Sequence, residues 1–269
     1  MDEQKTSYFT RVGDDSFLPT AQSGGTWHDD DLHLAPVAGL VIDRMERWRL
    51  AHAPDLVFSR LSLEVLGQIA RERIDLSTEV VRPGRTIELI ETTAVIGGRT
   101  TIRARGWLLQ STDTADVCEH EFAPLPAPQD CTEPSWLKRW NGNAIAGVRA
   151  VQADDTRRGR ARAWVTGDVD LIAGEESTEL GEFAKFFDYA NGVSLRRDPD
   201  EFMYPNVDLT AHLFRQPRGR LLGLDTRVAF GPGGVGLTSS VLHDVDGPVG
   251  TLAQSLTVRR LKTADETSG

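Results

Sequence analysis

No apolar run in the 269 residues approaches the ~18 that a membrane-spanning helix needs. The N-terminus, MDEQKTSYFT, has neither the basic start nor the apolar stretch of a secretory signal. A soluble, cytoplasmic protein without a membrane partner is expected. The two cysteines, Cys118 and Cys131, are too few for a disulfide framework and lie away from any histidine-rich motif. Positive charge is also scarce: 30 Lys and Arg against 40 Asp and Glu leave a formal charge of -10, which repels a nucleic-acid backbone. Two common catalytic signatures are missing. There is no Gly-x-Ser-x-Gly elbow, which disfavours a serine acyl-enzyme. The run Gly231-Pro-Gly-Gly-Val-Gly lacks the Lys-Ser/Thr ending of a phosphate loop and reads as a hairpin connection, so no nucleotide cofactor is implied.

What remains is an ordinary globular composition, 39% hydrophobic and 26% charged, long enough for two domains of common size. The clearest break runs from Ser111 to Asn143, where Pro124, Pro126, Pro128 and Pro134 stand among polar residues with no sustained apolar period. This predicts an N-terminal lobe over 1–110, a Pro-rich linker over 111–145 and a C-terminal lobe over 146–269. The same order of elements recurs on both sides. Pro36 suits a first helical turn, and Val37, Leu40, Val41, Met45 and Trp48 follow at helical spacing. In the second half Phe183, Phe186, Phe187 and Ala190 repeat that spacing, with Glu179 and Glu182 favouring a helix start and Gly192 available to end it.

Strand-like stretches follow each helix: Phe58 to Leu66, Arg73 to Val81, Thr86 to Ile96 and Thr100 to Gln110, then Val207 to Phe214, Leu221 to Phe230, Val235 to His243 and Val249 to Arg259. Leu76-Ser-Thr-Glu-Val lines up with Leu224-Asp-Thr-Arg-Val, and the turn Gly97-Gly98 with Asp246-Gly247. The pattern predicts a duplicated α+β unit, a helix beside a curved antiparallel sheet made twice.

Three segments carry a resemblance: Phe187-Asp-Tyr-Ala-Asn-Gly, Pro205-Asn-Val-Asp-Leu-Thr-Ala-His-Leu-Phe-Arg-Gln-Pro-Arg-Gly, and Gly247-Pro-Val-Gly-Thr-Leu-Ala-Gln-Ser-Leu-Thr-Val. In order and spacing the chain, over roughly Tyr8 to Arg260, resembles the thioesterase II type of double-hotdog acyl-CoA thioesterases. The resemblance implies a double hotdog, each lobe a long helix wrapped by a curved antiparallel sheet. It also implies hydrolysis of an acyl-CoA thioester, with coenzyme A as part of the substrate and no other cofactor. Finally, it implies a catalytic set of a helix Asp, a Thr or Ser opening the next strand and a last-strand Gln that together hold a water. These positions fall on Asp188, Asn206 and Gln254. Asn206 departs from the usual hydroxyl, although an amide also hydrogen-bonds water.

Read without the resemblance, Asp188 points away from its helix's apolar stripe, as a solvated carboxylate would. Alternation puts Gln254 on the apolar face with Leu252, Leu256 and Val258, where an amide needs a partner, structural or catalytic. Asn206 falls on a polar face with Asp208, Thr210 and His212, Thr210 being the fallback hydroxyl. Arg215, Arg218 and Arg220 could contact coenzyme A phosphates or form an exposed, charged hairpin end. His28, Asp29, Asp30, Asp31 and His33 have metal-ligand chemistry, but acidic residues before a helix are favoured by its dipole, and no metal is expected.

Arg60 and Arg105 align with Asn206 and Gln254, so a single active lobe is expected. Two alternatives stay open: a non-catalytic acyl-CoA or lipid-binding hotdog protein, and a hotdog hydratase or dehydratase. The latter needs an Asp and a His together, and His120, His212 and His243 have no obvious partner. Exposed sheet edges suggest a homo-oligomer, most simply a dimer.

Overall fold

The computed structural model describes residues 6–28 and 30–261, so Asp29 of the acidic run lies outside the described residues. In chain order the strands are β1 (Ser7–Gly13), β2 (Ser16–Pro19), β3 (Leu56–Val65), β4 (Ile74–Arg82), β5 (Ile87–Ile96) and β6 (Arg99–Gln110). After the linker come β7 (Val148–Gln152), β8 (Arg160–Gly167), β9 (Asp170–Ile172), β10 (Phe202–Met203), β11 (Asp208–Leu213), β12 (Leu222–Phe230), β13 (Val235–Asp244), β14 (Gly247–Thr257) and β15 (Arg259–Arg260). All but β10 and β15, which pair with each other, form one sheet in the order β7-β8-β12-β13-β14-β11-β3-β6-β5-β4-β2-β1-β9. Except for β9, the order is a palindrome: β3 answers β11, β6 answers β14, β5 answers β13, β4 answers β12, and β1-β2 answer β7-β8. The duplication is thus a structural fact. The halves join at the antiparallel seam of β3 with β11, where Leu61 faces Ala211 and Leu63 faces Leu209.

The strands that open each lobe, β1-β2 and β7-β8, extend the expected set of four per half. They are short or alternate small with charged residues, as in Arg160-Ala-Arg-Ala, where Ala161 and Ala163 turn inward. Only Asp168 and Val169 separate β8 from β9, yet these strands stand near opposite ends of the sheet order. The sheet therefore curls round the helices until its ends meet. Its outer strands, β7 and β9, have five and three residues, and short edges limit edge-to-edge pairing, so the expected homo-oligomer draws little support from them.

Helix α1 (Leu34–His52) is nearly all buried over its first three turns, as a helix enclosed by a sheet must be. Its counterpart is not one long helix. It breaks into α3 (Glu179–Ala184), a 3₁₀ turn at Phe187–Tyr189 and α4 (Ala190–Val193); the short α2 (Asn143–Ala146) lies earlier, at the linker's end. The first of these pieces, α3, crosses α1 closely. A Cβ on Gly181 would stand 2.6 Å from that of Asp43, and one on Gly39 would stand 2.5 Å from that of Lys185. Backbones this close leave no room for side chains between them. Just past the crossing, buried Lys185 donates to Glu182 at 2.7 Å and to the Val169 carbonyl at 2.9 Å. Glu182, expected to complement a helix start, is spent on that pair.

The linker is fastened to the second lobe. The Trp164 indole donates to the Pro126 carbonyl at 2.8 Å, a His243 ring nitrogen lies 3.1 Å from the Ala123 carbonyl, and Phe122 stacks on Phe214. Proline lacks a backbone donor but keeps its carbonyl to accept, which Trp164 uses at Pro126. Thr132 also exchanges two backbone hydrogen bonds with Gln152 of β7.

Candidate active site

Asp188 sits in the 3₁₀ turn that interrupts the second helix, and the break turns it inward. It is 8% exposed, so the solvated orientation read from an unbroken helix does not hold. Its Oδ1 accepts a hydrogen bond from Gln254 Nε2 at 2.9 Å. Burial raises its pKa from 3.8 to about 7, against the lowering effect of the Asn206 and Gln254 side chains. A carboxyl group that titrates near neutrality can both take and return a proton at working pH.

Two cavities meet at this carboxyl group. The outer one, about 190 Å³, is walled by Asp31, His33, Leu34, Gln68, Asp188 and Asn206 among others. The inner one, about 50 Å³, has an aromatic wall of Trp27, Trp136, Trp140 and Tyr189. Thr26, Trp27, His33, Asp188 and Asn206 line both. The aromatic frame is rigidly braced: Trp27, Trp140 and Tyr204 make edge contacts at 5.5 to 5.9 Å, and the Trp140 indole donates to the Gly192 carbonyl at 3.1 Å. Trp136 and Trp140 belong to the linker, which thereby becomes part of the site.

Two family models match this chain: that of the acyl-CoA thioesterase N-terminal domain over residues 24–109 and that of the C-terminal domain over residues 119–258. The chain belongs to the acyl-CoA thioesterase family. No curated protein matches the sequence. Among solved structures, a protein of Novosphingobium aromaticivorans described as a thioesterase superposes with a TM-score of 0.70 at 19% identity, covering 94% of this chain and 98% of that one. The acyl-CoA thioesterase II TesB2 of Mycobacterium marinum gives 0.64 at 14% identity, covering 94% and 96%. A protein of unknown function with a hot dog fold from Alicyclobacillus acidocaldarius gives 0.66 at 14% identity, also covering 94% and 96%. At these identities the likenesses establish the fold, a double hotdog.

Within this family member the three expected residues come together, in differing roles. Asn206 lines both cavities beside Asp188, its amide donating to the Asp208 carbonyl at 3.0 Å. It precedes β11, where the chain turns inward before strand alternation begins. Gln254 is 1% exposed and is not among the residues lining either cavity. It stands behind Asp188 and holds it, and its Oε1 has no hydrogen-bond partner among the described residues. Thr210, the fallback hydroxyl, lies in the seam opposite Ser62 and Ala253 and lines neither cavity.

The arginine cluster is not brought to the site. Arg215 follows the far end of β11 from Asn206 and is saturated by Asp244, at 2.5 and 2.6 Å, and by the Gly247 and Pro248 carbonyls. Arg218 lies 3.8 Å from Asp246, and Arg220 lies 3.7 Å from Glu182.

The residue that sequence reasoning missed is His33. It caps α1 through Nδ1, which accepts from the Ala35 amide at 3.1 Å, and it lies 3.5 Å from Asp188 Oδ2. Its ring stacks on Tyr189 at 5.2 Å. Burial lowers its pKa to about 4, so it is neutral at pH 7, and the Nδ1 lone pair used in capping leaves the proton on Nε2. The one sequence signal was a polar residue just ahead of the Pro36 helix start, read there as part of an acidic, helix-flanking run. No partner for the Leu34 amide is seen among the described residues. Leu34 opens α1 and lines the outer cavity, so the positive end of the helix borders it.

The first lobe carries a counterpart to Asp188. Asp43 stands ten residues after the α1 cap His33, as Asp188 stands ten after the α3 cap Thr178. Each faces the other helix's cap: Asp43 accepts from the Thr178 amide at 2.7 Å, as Asp188 lies against His33. Asp43, however, is also bound by Arg47 Nε at 2.7 Å.

Proposed function

We propose that this protein hydrolyses acyl-CoA thioesters at the junction of the two cavities, with Asp188 as the general base. The observation that carries the reading is the buried Asp188 carboxyl group, with its pKa near 7, on the wall common to both cavities. In this reading a water held between Asp188 and Asn206 gives a proton to Asp188 as its oxygen attacks the thioester carbonyl. The C–S bond then breaks, the proton passes to the thiolate, and the acid and coenzyme A leave. The Leu34 amide and the α1 dipole are placed for the oxyanion, with His33 Nε2–H as a further neutral donor. Gln254 is a positioning residue that keeps Asp188 aimed at the cavities. The anionic half of coenzyme A would lie in the groove of about 620 Å³ outside Asn206, where Arg259 and Gln68 stand, rather than at Arg215, Arg218 and Arg220.

The test is thiol release from a panel of acyl-CoA substrates. Wild-type protein should turn over, and Asp188→Asn should lose roughly 10²–10⁴-fold; equal rates for the two would remove Asp188 from the mechanism. A second reading, reversible hydration of an enoyl-CoA, is favoured by the Asp188–His33 pair, which supplies the Asp and His that reaction needs. Loss of enoyl absorbance from an unsaturated acyl-CoA, without thiol release, would select it. Saturable binding with neither reaction would select the non-catalytic binder.

A further inference from the structure

We infer that the site takes short acyl groups, and that Trp136 of the linker is the stop that sets the limit. The inference rests on the placement of the thioester at Asp188, since the five residues common to both cavities then mark the carbonyl position. The open outer cavity continues into the groove at Arg259 and must take the bulky coenzyme A half. The acyl chain is left the inner chamber. Its volume of about 50 Å³ is about a third of the ~150 Å³ that accommodates a benzene ring, so it takes a chain of a few carbons at most.

What closes that chamber is specific. Trp136 lines it and also lines a separate surface cleft of about 400 Å³, whose walls include Gln152, Val193 and Leu195. The indole is therefore the partition between the two. It is 5% exposed, and its Nε1 has no hydrogen-bond partner among the described residues, so packing alone holds it. Trp140 differs, because its indole is tied to the Gly192 carbonyl. The Pro-rich segment between the two strand series, within the span matched by the C-terminal domain model, thus supplies the end wall of the acyl site. Shortening Trp136 should join chamber and cleft into one channel while leaving Asp188, Asn206 and His33 in place.

The experiment is isothermal titration of the full chain with non-hydrolysable S-alkyl-CoA thioethers of increasing chain length, together with thiol release from the matching thioesters. In wild-type protein, affinity should improve by about fourfold per methylene up to about four carbons and then fall. In Trp136→Ala the optimum should move to about eight carbons or beyond, and in Trp136→Leu, which keeps an apolar core side chain, to an intermediate length. Far-UV circular dichroism identifies any variant that has not folded, and Trp136→Leu serves if Trp136→Ala fails. Wild-type affinity that rises steadily past eight carbons, or a folded variant with an unchanged profile, would overturn the inference. The two ideas fail separately. Binding with the expected profile but no thiol release keeps the chamber and removes the hydrolase, whereas hydrolysis indifferent to chain length in both proteins does the reverse.

Discussion

Replacing Asp188 with Asn should make the protein more stable at alkaline pH while removing its activity. The side chains have nearly the same shape, and an Asn Oδ1 can still accept from Gln254 Nε2. What changes is the charge. In the unfolded chain the carboxyl group ionises near 3.8, in the folded protein near 7, so between these values the folded state binds the extra proton. Stability from this group is therefore highest below pH 4 and falls as pH rises to about 7, by ~4 kcal/mol at 1.36 kcal/mol per tenfold. His33 acts in the opposite sense. Its folded pKa of about 4 lies below the ordinary 6.5, so stability is lost as pH falls from about 6.5 to 4, by ~3 kcal/mol. Urea denaturation of both proteins from pH 4 to 8.5 separates these contributions. Asp188→Asn should exceed wild type by roughly 2–4 kcal/mol at pH 8.5, and the gap should close towards pH 4. The variant's own curve should then fall through the His33 range. A gap independent of pH, or a variant less stable than wild type at pH 8.5, would mean that Asp188 is not a desolvated carboxylate, and the base assignment would lose its physical ground.

The pH–rate profile of the wild type should rise with pH and level off above about 7, as the carboxylate form of Asp188 fills; a flat profile from pH 5 to 8 refutes this. Gln254→Leu should depress turnover and also move that midpoint upward, because the lost hydrogen bond favours the ionised form; a fall in rate with no change of midpoint would mean a merely structural role. Arg215→Ala should destabilise by about 3 kcal/mol, since it strands the buried Asp244. It should leave KM for acyl-CoA unchanged, and a raised KM would restore the arginine to the binding site. Gly181→Ala should cost about 1–3 kcal/mol through contact with Asp43, readable as a lowered Tm.

The sequence carried the fold well because its long-range signals were periodic. The strands after each helix and the repeated turns survive with boundaries moved by a residue or two, and the inward face of Gln254 follows from plain alternation. The site was only partly legible because two of its features are irregular. An unbroken helix at 100° per residue turns Asp188 outward, whereas the break into α3, a 3₁₀ turn and α4 turns it in. Asn206 on a regular strand would face solvent, but it precedes β11. His33 was hidden for a different reason: its partner comes from the other lobe, and no local pattern reports a contact across 155 residues of chain. The prolines marked a segment without strand or helix periodicity, which the structure shows as short 3₁₀ turns at Ala115–Val117, Pro128–Asp130 and Ser135–Arg139, and they gave no sign that Trp136 and Trp140 would line a cavity. Arg105, aligned with Gln254, proved to face outward and pair with Glu91, because the turn that answers Gly97-Gly98 is Val245-Asp246 rather than Asp246-Gly247, which sets Gly106 against Gln254 in the duplication.

The two halves place equivalent aspartates in different surroundings. Both lobes place an aspartate ten residues beyond a helix cap and aim it at the cap of the other helix. In the second lobe that aspartate meets His33, a neutral ring whose capping lone pair offers no charge, and it stays uncompensated and raised in pKa. In the first lobe Arg47 sits one helical turn after Asp43 and neutralises it, while the Thr178 amide takes its other oxygen. The sheet behind it has closed as well. Gly106 on β6 is packed so tightly that a Cβ there would stand 2.3 Å from the Phe58 ring and 2.8 Å from the Met45 methyl group. The strand register sets Phe58, and not Arg60, against Asn206 in the duplication, and the buried Phe58 ring takes the place where the second lobe keeps an amide. Charge compensation and packing thus make the Asp43 region a capping and core element, whereas Asp188 is left without a cationic partner and bears the desolvation cost of a buried carboxyl group.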